Sequence, residues 1–407
     1  MTSLFHPHIA SILGIITLGI WLHLFFGRGW FWRVMKLDAD REPLETLWEW
    51  PSVIAVVPAR NEEETIGQVV AALVKQDYPG AFSIVIVDDH SEDATTGVAQ
   101  QVADKNGAGE RVRIVSASAL AEGWTGKLWA LNEGVFNGGV TKSGASGAEV
   151  PVPTPEVPAY YWFTDADVTH APDTLRRLVG RAKGDGLDLA SLMVLLQVKT
   201  LPERALIPAF LYFFLMLYPP GWIADEELAT AGAAGGCILL KSEALARIGG
   251  LAAIRGEVID DCALARAVKL SGGKVWMGLT RKSTSLRAYG TFGEIRDLIA
   301  RTAFTQLRYS ALLLTGTLAA MFLTYVAPVI LLFAHDSTAR LLGFAAWLLM
   351  SLSFLSTVRF YGISIVWAPL LPLTAVFYTY ATWLSAVRFW MGKGGQWKGR
   401  AQAPRGV

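Results

Sequence analysis

Two carboxylates one residue apart, Asp165 and Asp167 in the triplet Asp165-Ala166-Asp167, follow the apolar run Tyr160-Tyr161-Trp162-Phe163. The run reads as a strand that delivers both acids to its carboxyl end, the edge where ligands bind in a parallel α/β sheet. Such a pair can hold a hard divalent cation, whose remaining shell is filled by water and phosphate oxygens. The implied substrate carries a diphosphate. A D-x-D triplet is also an ordinary solvated loop sequence, so its meaning depends on its neighbours.

Three other fragments point at the same edge. Val57-Pro58-Ala59-Arg60-Asn61-Glu62 leaves a strand at residues 52–57, and Val87-Asp88-Asp89-His90-Ser91 leaves another at 82–87. Gly123-Trp124-Thr125-Gly126-Lys127 precedes a helical pattern at Leu128 and Leu131, which places a cation and a helix amino terminus where they can meet phosphate. Singly, Asp88 and Asp89 also read as capping or turn acids, and Lys127 as a surface lysine. Their order along the chain carries the information.

The elements that position these residues alternate between strand and helix. After the first strand, Asn61 can cap a helix whose apolar positions Ile66, Val69, Val70, Leu73 and Val74 follow the helical period. Ser91 to Asp93 opens a second helix, residues 112–115 give a third strand, Pro172 starts a helix through Leu175 and Leu178, and residues 187–194 supply a further strand. The alternation predicts an α/β, doubly wound, mostly parallel sheet. Between them, residues 137–159 turn to Gly, Ser, Thr and Pro and read as an exposed insertion.

With 407 residues, 52% apolar and 11% aromatic, the chain is too apolar for an ordinary soluble enzyme. Residues 9–26 carry no Lys, Arg, Asp or Glu and are followed by Arg28, Arg33 and Lys36, the pattern of a membrane span with a cytoplasmic flank. A cleaved signal peptide is the weaker alternative. Three more spans are expected in residues 311–334, 341–358 and 361–387, ahead of a basic tail over 391–407. Pro369 and Pro372 offer a re-entrant break in the last one. Residues 205–218, with Phe210, Tyr212, Phe213 and Phe214, are too short to cross and read as either a core helix or an interfacial one, spanning 203–223. The net charge of +1 and the lack of a basic stripe give no reason to expect a nucleic-acid partner, and Cys237 and Cys262 have no metal-ligand spacing.

Taken in order, the fragments at 57–62, 87–93 and 164–167, with Gly235 to Gly250 and Val258 to Asp261, resemble the successive motifs of the family 2 glycosyltransferases, whose catalytic domain has the GT-A fold. The resemblance covers residues 50–310. The Gly123 to Ala130 stretch, the Phe304 to Ser310 segment and the flanking spans further resemble the hopene-associated glycosyltransferases of bacterial hopanoid biosynthesis. It implies that Pro58, Ala59, Arg60, Glu62 and Asp89 line a nucleotide pocket with Asp88 beside them, and that Asp165 and Asp167 take Mg²⁺ or Mn²⁺. Lys127 would face the leaving group. Asp261 would be the general base, with Asp260 where the family usually has Glu, although an amino-terminal helix cap is the plain alternative for this pair. At the family's Gln-x-x-Arg-Trp motif the chain reads Thr305-Gln306-Leu307-Arg308-Tyr309; Arg308 can still contact diphosphate, and the shifted glutamine favours transfer of one sugar over processive synthesis.

The activity thereby implied is inverting transfer from a nucleotide-sugar, most commonly a UDP-sugar, to a lipid acceptor such as a hopanoid, by a multi-pass inner-membrane protein with a cytoplasmic catalytic domain. Two other classes compete: an idle nucleotide-sugar-binding scaffold, and a nucleotidyltransferase. The second lacks a glycine-rich loop after Val57.

Overall fold

The computed structural model describes residues 7–41, 47–138, 157–392 and the pairs 396–397 and 400–401. Most of the insertion expected at 137–159 and most of the basic tail lie outside the described residues. After helix α1 (Pro7–Leu22), the chain forms β1 (Val53–Ala59), α2 (Ile66–Val74), β2 (Phe82–Asp88), α3 (Thr95–Lys105), β3 (Val112–Ser116), α4 (Gly126–Gly138), β4 (Tyr160–Thr164), β5 (Val168–His170), α5 (Thr174–Gly184) and β6 (Leu189–Leu195). There follow α6 (Leu201–Leu217), α7 (Pro220–Ala224), β7 (Cys237–Lys241), α8 (Ser242–Arg247), α9 (Asp260–Leu270), β8 (Val275–Ser285) and α10 (Phe292–Gln306). Helices α11 (Ala311–Met321), α12 (Ala327–Leu331), α13 (Ser337–Phe360) and α14 (Leu371–Trp390) complete the apolar end.

Eight strands form one sheet in the order β3-β2-β1-β4-β7-β6-β8-β5. Every residue of β1 is buried, as expected of an apolar, β-branched strand covered on both faces. β1 pairs in parallel with β2 and β4, and this register sets Ala59 beside Asp88. β7 runs antiparallel between β4 and β6, and β5 runs antiparallel to β8. The sequence pattern missed β5, β7 and β8. β5 has only three residues, β7 is a short apolar run joined directly to α8, and the last third of β8 is polar.

Helix α4 lies against β1 and β2 at Gly134. A Cβ there would meet Val56 Cγ1 at 2.3 Å and Val87 Cγ2 at 2.9 Å, so only a glycine lets the helix approach this closely. Gly134→Ala is expected to destabilise the fold by about 1–3 kcal/mol, because overpacking outweighs the gain in helix propensity. Thermal unfolding of the purified chain checks this; an unchanged or raised midpoint refutes it.

Asn61 does not cap α2, which starts five residues later at Ile66. It adopts a left-handed φ of 51°, its backbone N–H donates to Ser91 Oγ (3.0 Å), and its side-chain oxygen accepts from the Glu92 N–H (2.8 Å). The loop after β1 is thereby tied to the loop after β2. Asp93 supports α3 by accepting from the Thr95 N–H (3.0 Å).

Among the described residues, five helices are long and apolar enough to cross a membrane: 8–27, 201–224, 311–331, 337–360 and 365–390. The one beyond sequence expectation contains α6. A capping box between Thr200 and Glu203 starts this helix at Leu201, and α7 continues it after Pro219. Its aromatic residues serve two surfaces. Tyr212 and Phe213 are buried, with the Tyr212 hydroxyl 2.7 Å from Ser353 Oγ of α13, whereas Phe210 and Phe214 line a cleft at the sheet edge.

Pro369 lies in a 3₁₀ turn (Ile365–Leu370) and Pro372 in the first turn of α14, so one proline precedes the last helix and the other opens it, and neither breaks it. The chain after α13 doubles back, and Trp347 Nε1 donates to the Pro369 carbonyl (3.1 Å). The far end of α14 is fastened to α10: Arg388 lies 2.7 Å from Asp297, and Ser385 Oγ accepts from the Phe304 N–H (3.0 Å).

Candidate functional site

The carboxyl ends of β1, β2 and β4 meet the start of α4, the approach to β7 and the start of α9. A cleft of about 260 Å³ opens there, lined by Pro58, Glu62, Lys127, Asp165, Asp167, Asp260 and Asp261 among others.

Lys127, in the first turn of α4, stands between the two acidic pairs. Its Nζ is 2.7 Å from Asp165 Oδ1 and 3.8 Å from Asp260 Oδ2. Burial alone would lower its pKa, but the charges of Asp165, Asp260 and Asp261 outweigh that and raise it, so it stays an ammonium. Asp261 is half-buried at the start of α9; its Oδ2 accepts from the Gly235 N–H (2.9 Å) and its Oδ1 from the Cys262 N–H (2.7 Å). Ile259 is the N-cap of α9 and makes no side-chain cap, so the two acids are the first helical residues and face the cleft. Burial, and then the charge of Asp260, push the Asp261 carboxyl up to about 6. Gly235 keeps this contact open: a Cβ would lie 3.2 Å from Lys127 Nζ and 3.3 Å from Asp261 Oδ2, so both side chains would have to shift by a few tenths of an ångström.

Asp167 is pushed up to about 6 by burial first and then by Asp165 and Glu62. Such repulsion between carboxylates is what a bound cation relieves. Asp165 and Asp167 therefore fit a hard divalent ion with all-oxygen ligands. Among the described residues no group of three or more His, Cys, Asp or Glu side chains is placed to hold a metal ion.

Arg60, Ala59, Asp88 and Asp89 form the adjoining wall rather than the cleft itself. Asp89 is fully buried; its backbone N–H donates to the Ala59 carbonyl (2.8 Å), and Arg60 donates to its carbonyl and reaches its carboxylate at 3.8 Å. Asp88 accepts from the Ser91 N–H (3.2 Å) and holds the turn. The two neighbouring acids thus divide their work, one facing Arg60 and one shaping the loop.

Arg308 is not brought to the cleft. It is exposed, and with Tyr309 it forms a pair of left-handed residues (φ 51° and 55°) just after α10. Sequence reasoning missed Arg287 and Arg301, which do line the cleft together with Tyr289, Phe210 and Phe214. Arg287 follows the end of β8, and Arg301 lies on α10 two helical turns before Arg308. Their signal was a basic residue at a strand end and a second arginine at helical spacing, both unreadable until β8 and α10 are known.

The family model described as glycosyltransferase-like family 2 matches residues 51–301, more than half of the chain. The chain is a family 2 glycosyltransferase. Among curated proteins, this glycosyltransferase is 39% identical over 85 residues to the beta-monoglucosyldiacylglycerol synthase of Synechocystis, covering 21% of this chain and 17% of that protein. It is 30% identical over 124 residues to the probable glycosyltransferase YdaM of Bacillus subtilis, covering 30% and 29%. The chain therefore spans less than a third of either relative it matches. Among solved structures, the mannosyltransferase PcManGT from Pyrobaculum calidifontis, in complex with GDP-Man and Mn²⁺, superposes over 93% of this chain and 98% of that one, with a TM-score of 0.50 and 18% identity. The likeness is one of fold: the glycosyltransferase has a GT-A-like sheet with apolar helices at both ends.

Proposed function

We propose that this enzyme transfers one sugar, with inversion, from a nucleotide-sugar to a hydroxyl of a membrane lipid. The observation that carries the reading is the shape of the cleft: Lys127 links Asp165 to the Asp260-Asp261 pair, and Phe210 and Phe214 of the apolar α6 continue the same cleft. Asp261 accepts the proton of the acceptor hydroxyl as its oxygen bonds to the anomeric carbon and the bond to diphosphate breaks. A single base on the acceptor side and no carboxylate nucleophile give inversion. Lys127, Arg287 and Arg301 face the charge that gathers on the departing diphosphate. Bound at Asp165 and Asp167, Mg²⁺ or Mn²⁺ would supply further charge compensation for that leaving group.

The apolar helices are in keeping with an acceptor held at a bilayer, and the Synechocystis relative bears the name of a glycolipid synthase. The motif resemblance favours a hopanoid polyol as the acceptor, UDP as the nucleotide, and a cytoplasmic catalytic face on the inner membrane. The fastening of α14 to α10 puts the root of the basic tail beside the catalytic domain, in keeping with a cytoplasmic tail. The test supplies vesicles containing the full chain with labelled nucleotide-sugars, divalent cation and a lipid extract with or without hopanoids. Label entering a lipid only when hopanoid is present supports the whole reading; label entering another lipid retains the reaction and replaces the acceptor; label entering only water-soluble oligosaccharide refutes the lipid acceptor.

In the same assay Arg301→Gln is expected to raise the donor KM about tenfold, since a hydrogen bond to a charged group contributes about 1.5–3 kcal/mol. Arg308→Gln should leave it within about twofold, as for an exposed side chain away from the site. The reverse order would return Arg308 to the diphosphate.

A further inference from the structure

Behind the Asp165-Ala166-Asp167 turn, and on none of the cleft's surfaces, lies a buried histidine. His170, at the end of β5, is 5% exposed, and its ring lies 4.6 Å from that of Trp162. One ring nitrogen, Nε2, is 2.7 Å from Thr164 Oγ1 of β4, and the other, Nδ1, is 2.8 Å from Ser283 Oγ of β8. Thr164 Oγ1 is also 3.1 Å from the carbonyl oxygen of Gly236.

The directions of these bonds follow from the groups present. A carbonyl oxygen only accepts, so the Thr164 hydroxyl proton goes to Gly236. Thr164 must then accept from His170, which puts the ring proton on Nε2 and leaves Nδ1 to accept from the Ser283 hydroxyl. The result is a one-way relay, Ser283 to His170 to Thr164 to Gly236, in which every member is satisfied. Burial pushes the His170 imidazolium down to about 3, so the ring is neutral throughout the range in which the enzyme works and the relay does not reverse.

The last two members of this relay touch both halves of the site. Thr164 immediately precedes Asp165, and Gly236 immediately follows Gly235, whose N–H holds Asp261. We propose that His170 is a positioning residue for sugar transfer, fixing the metal-binding turn against the Gly235-Gly236 segment and so setting the separation between the diphosphate end of the cleft and the base. The proposal rests on the roles given above to Asp165, Asp167 and Asp261. It does not make His170 a proton carrier, because the ring reaches no reacting atom. Any buried imidazole needs partners for both nitrogens; what sets this one apart is that one partner, Thr164, is next to a carboxylate of the site and also donates to Gly236.

The test uses the full chain in vesicles with His170→Phe, which keeps a ring against Trp162 and loses both hydrogen bonds, and His170→Gln, which keeps a donor toward Thr164. Per folded molecule, His170→Phe is expected to lower kcat about 30- to 100-fold, the scale of a misplacement near 1 Å, and to weaken Mn²⁺-dependent UDP binding several-fold in calorimetry. His170→Gln should recover at least about a third of the lost activity, and the pH profile of kcat should keep its shape in both variants. Combining His170→Phe with Thr164→Val should be no worse than either change alone, since both break one chain. Lower yield of folded protein with normal kcat and normal UDP binding, or additive losses in the double variant, overturns the proposal. Should the wild-type chain bind UDP with Mn²⁺ yet transfer no sugar, the reaction assigned above fails by itself, and the binding arm decides the role of His170. Should it bind no nucleoside diphosphate, both fall.

Discussion

Replacing Asp261 by Asn lowers turnover by about three orders of magnitude, in the range for loss of a general base, while donor affinity stays within a factor of about two. The amide oxygen can still accept from the Gly235 N–H (2.9 Å), but only by giving up the Cys262 N–H that the second carboxylate oxygen accepts (2.7 Å), so turnover is read per folded molecule. What the amide cannot do is take a proton. Wild-type activity should also report this group. A base works only when ionised, and burial with the Asp260 charge lifts its carboxyl to about 6; the logarithm of kcat/KM should therefore climb with unit slope up to about pH 6 and level off above it. Normal turnover of Asp261→Asn in the vesicle assay would remove Asp261 from the mechanism. A rate independent of pH between 4.5 and 7 would do the same for its assigned protonation state.

Lys127→Met carries the second large effect. The ammonium lies 2.7 Å from Asp165 and 3.8 Å from Asp260, and its charge also holds the Asp261 carboxyl below where burial would otherwise leave it. Without it three carboxylates face one another, and the leaving diphosphate loses a buried cation. Turnover is expected to fall by about 10²- to 10³-fold, the loss typical of one preorganised charge-stabilising group. The sign of the accompanying pH effect is fixed: removing a positive neighbour favours the protonated acid, so the midpoint of the acid limb moves to higher pH. Residual activity of Lys127→Met, measured across pH at saturating Mn²⁺, checks both statements. A limb that stays in place or moves to lower pH contradicts the electrostatic role.

How much of this was legible beforehand depends on whether a residue's role was local. Asp165, Asp167, Lys127, Asp260 and Asp261 are separated by up to 134 positions in the chain, yet each sits at the end of a strand or the start of a helix that its own neighbours specify, and the parallel layer then collects them. The buried run of β1 and the helical period of α2 are equally local. Asn61 was misread because its partners, Ser91 and Glu92, belong to another loop; a capping residue and a loop clamp look alike until the loops meet. Arg308 matched a motif, but the end of α10 turns it to solvent, and Arg301 stands in the cleft. The aromatics of α6 suggested a lipid interface, whereas Tyr212 and Phe213 pack among the other apolar helices and Phe210 and Phe214 belong to the cleft. In each case the deciding contact is made by residues distant in sequence.

The fastening of α14 to α10 has a practical corollary. Helix α10 brings Leu298 and Arg301 to the cleft, and it is braced along its outer side by Arg388 and Ser385 near the end of the last apolar helix. Trimming the chain after residue 310 to obtain a water-soluble fragment would strip that brace from one wall of the catalytic chamber. Solubilising agents that loosen the helical bundle would act on the same wall, so the choice of detergent or lipid belongs among the variables that govern catalytic rate.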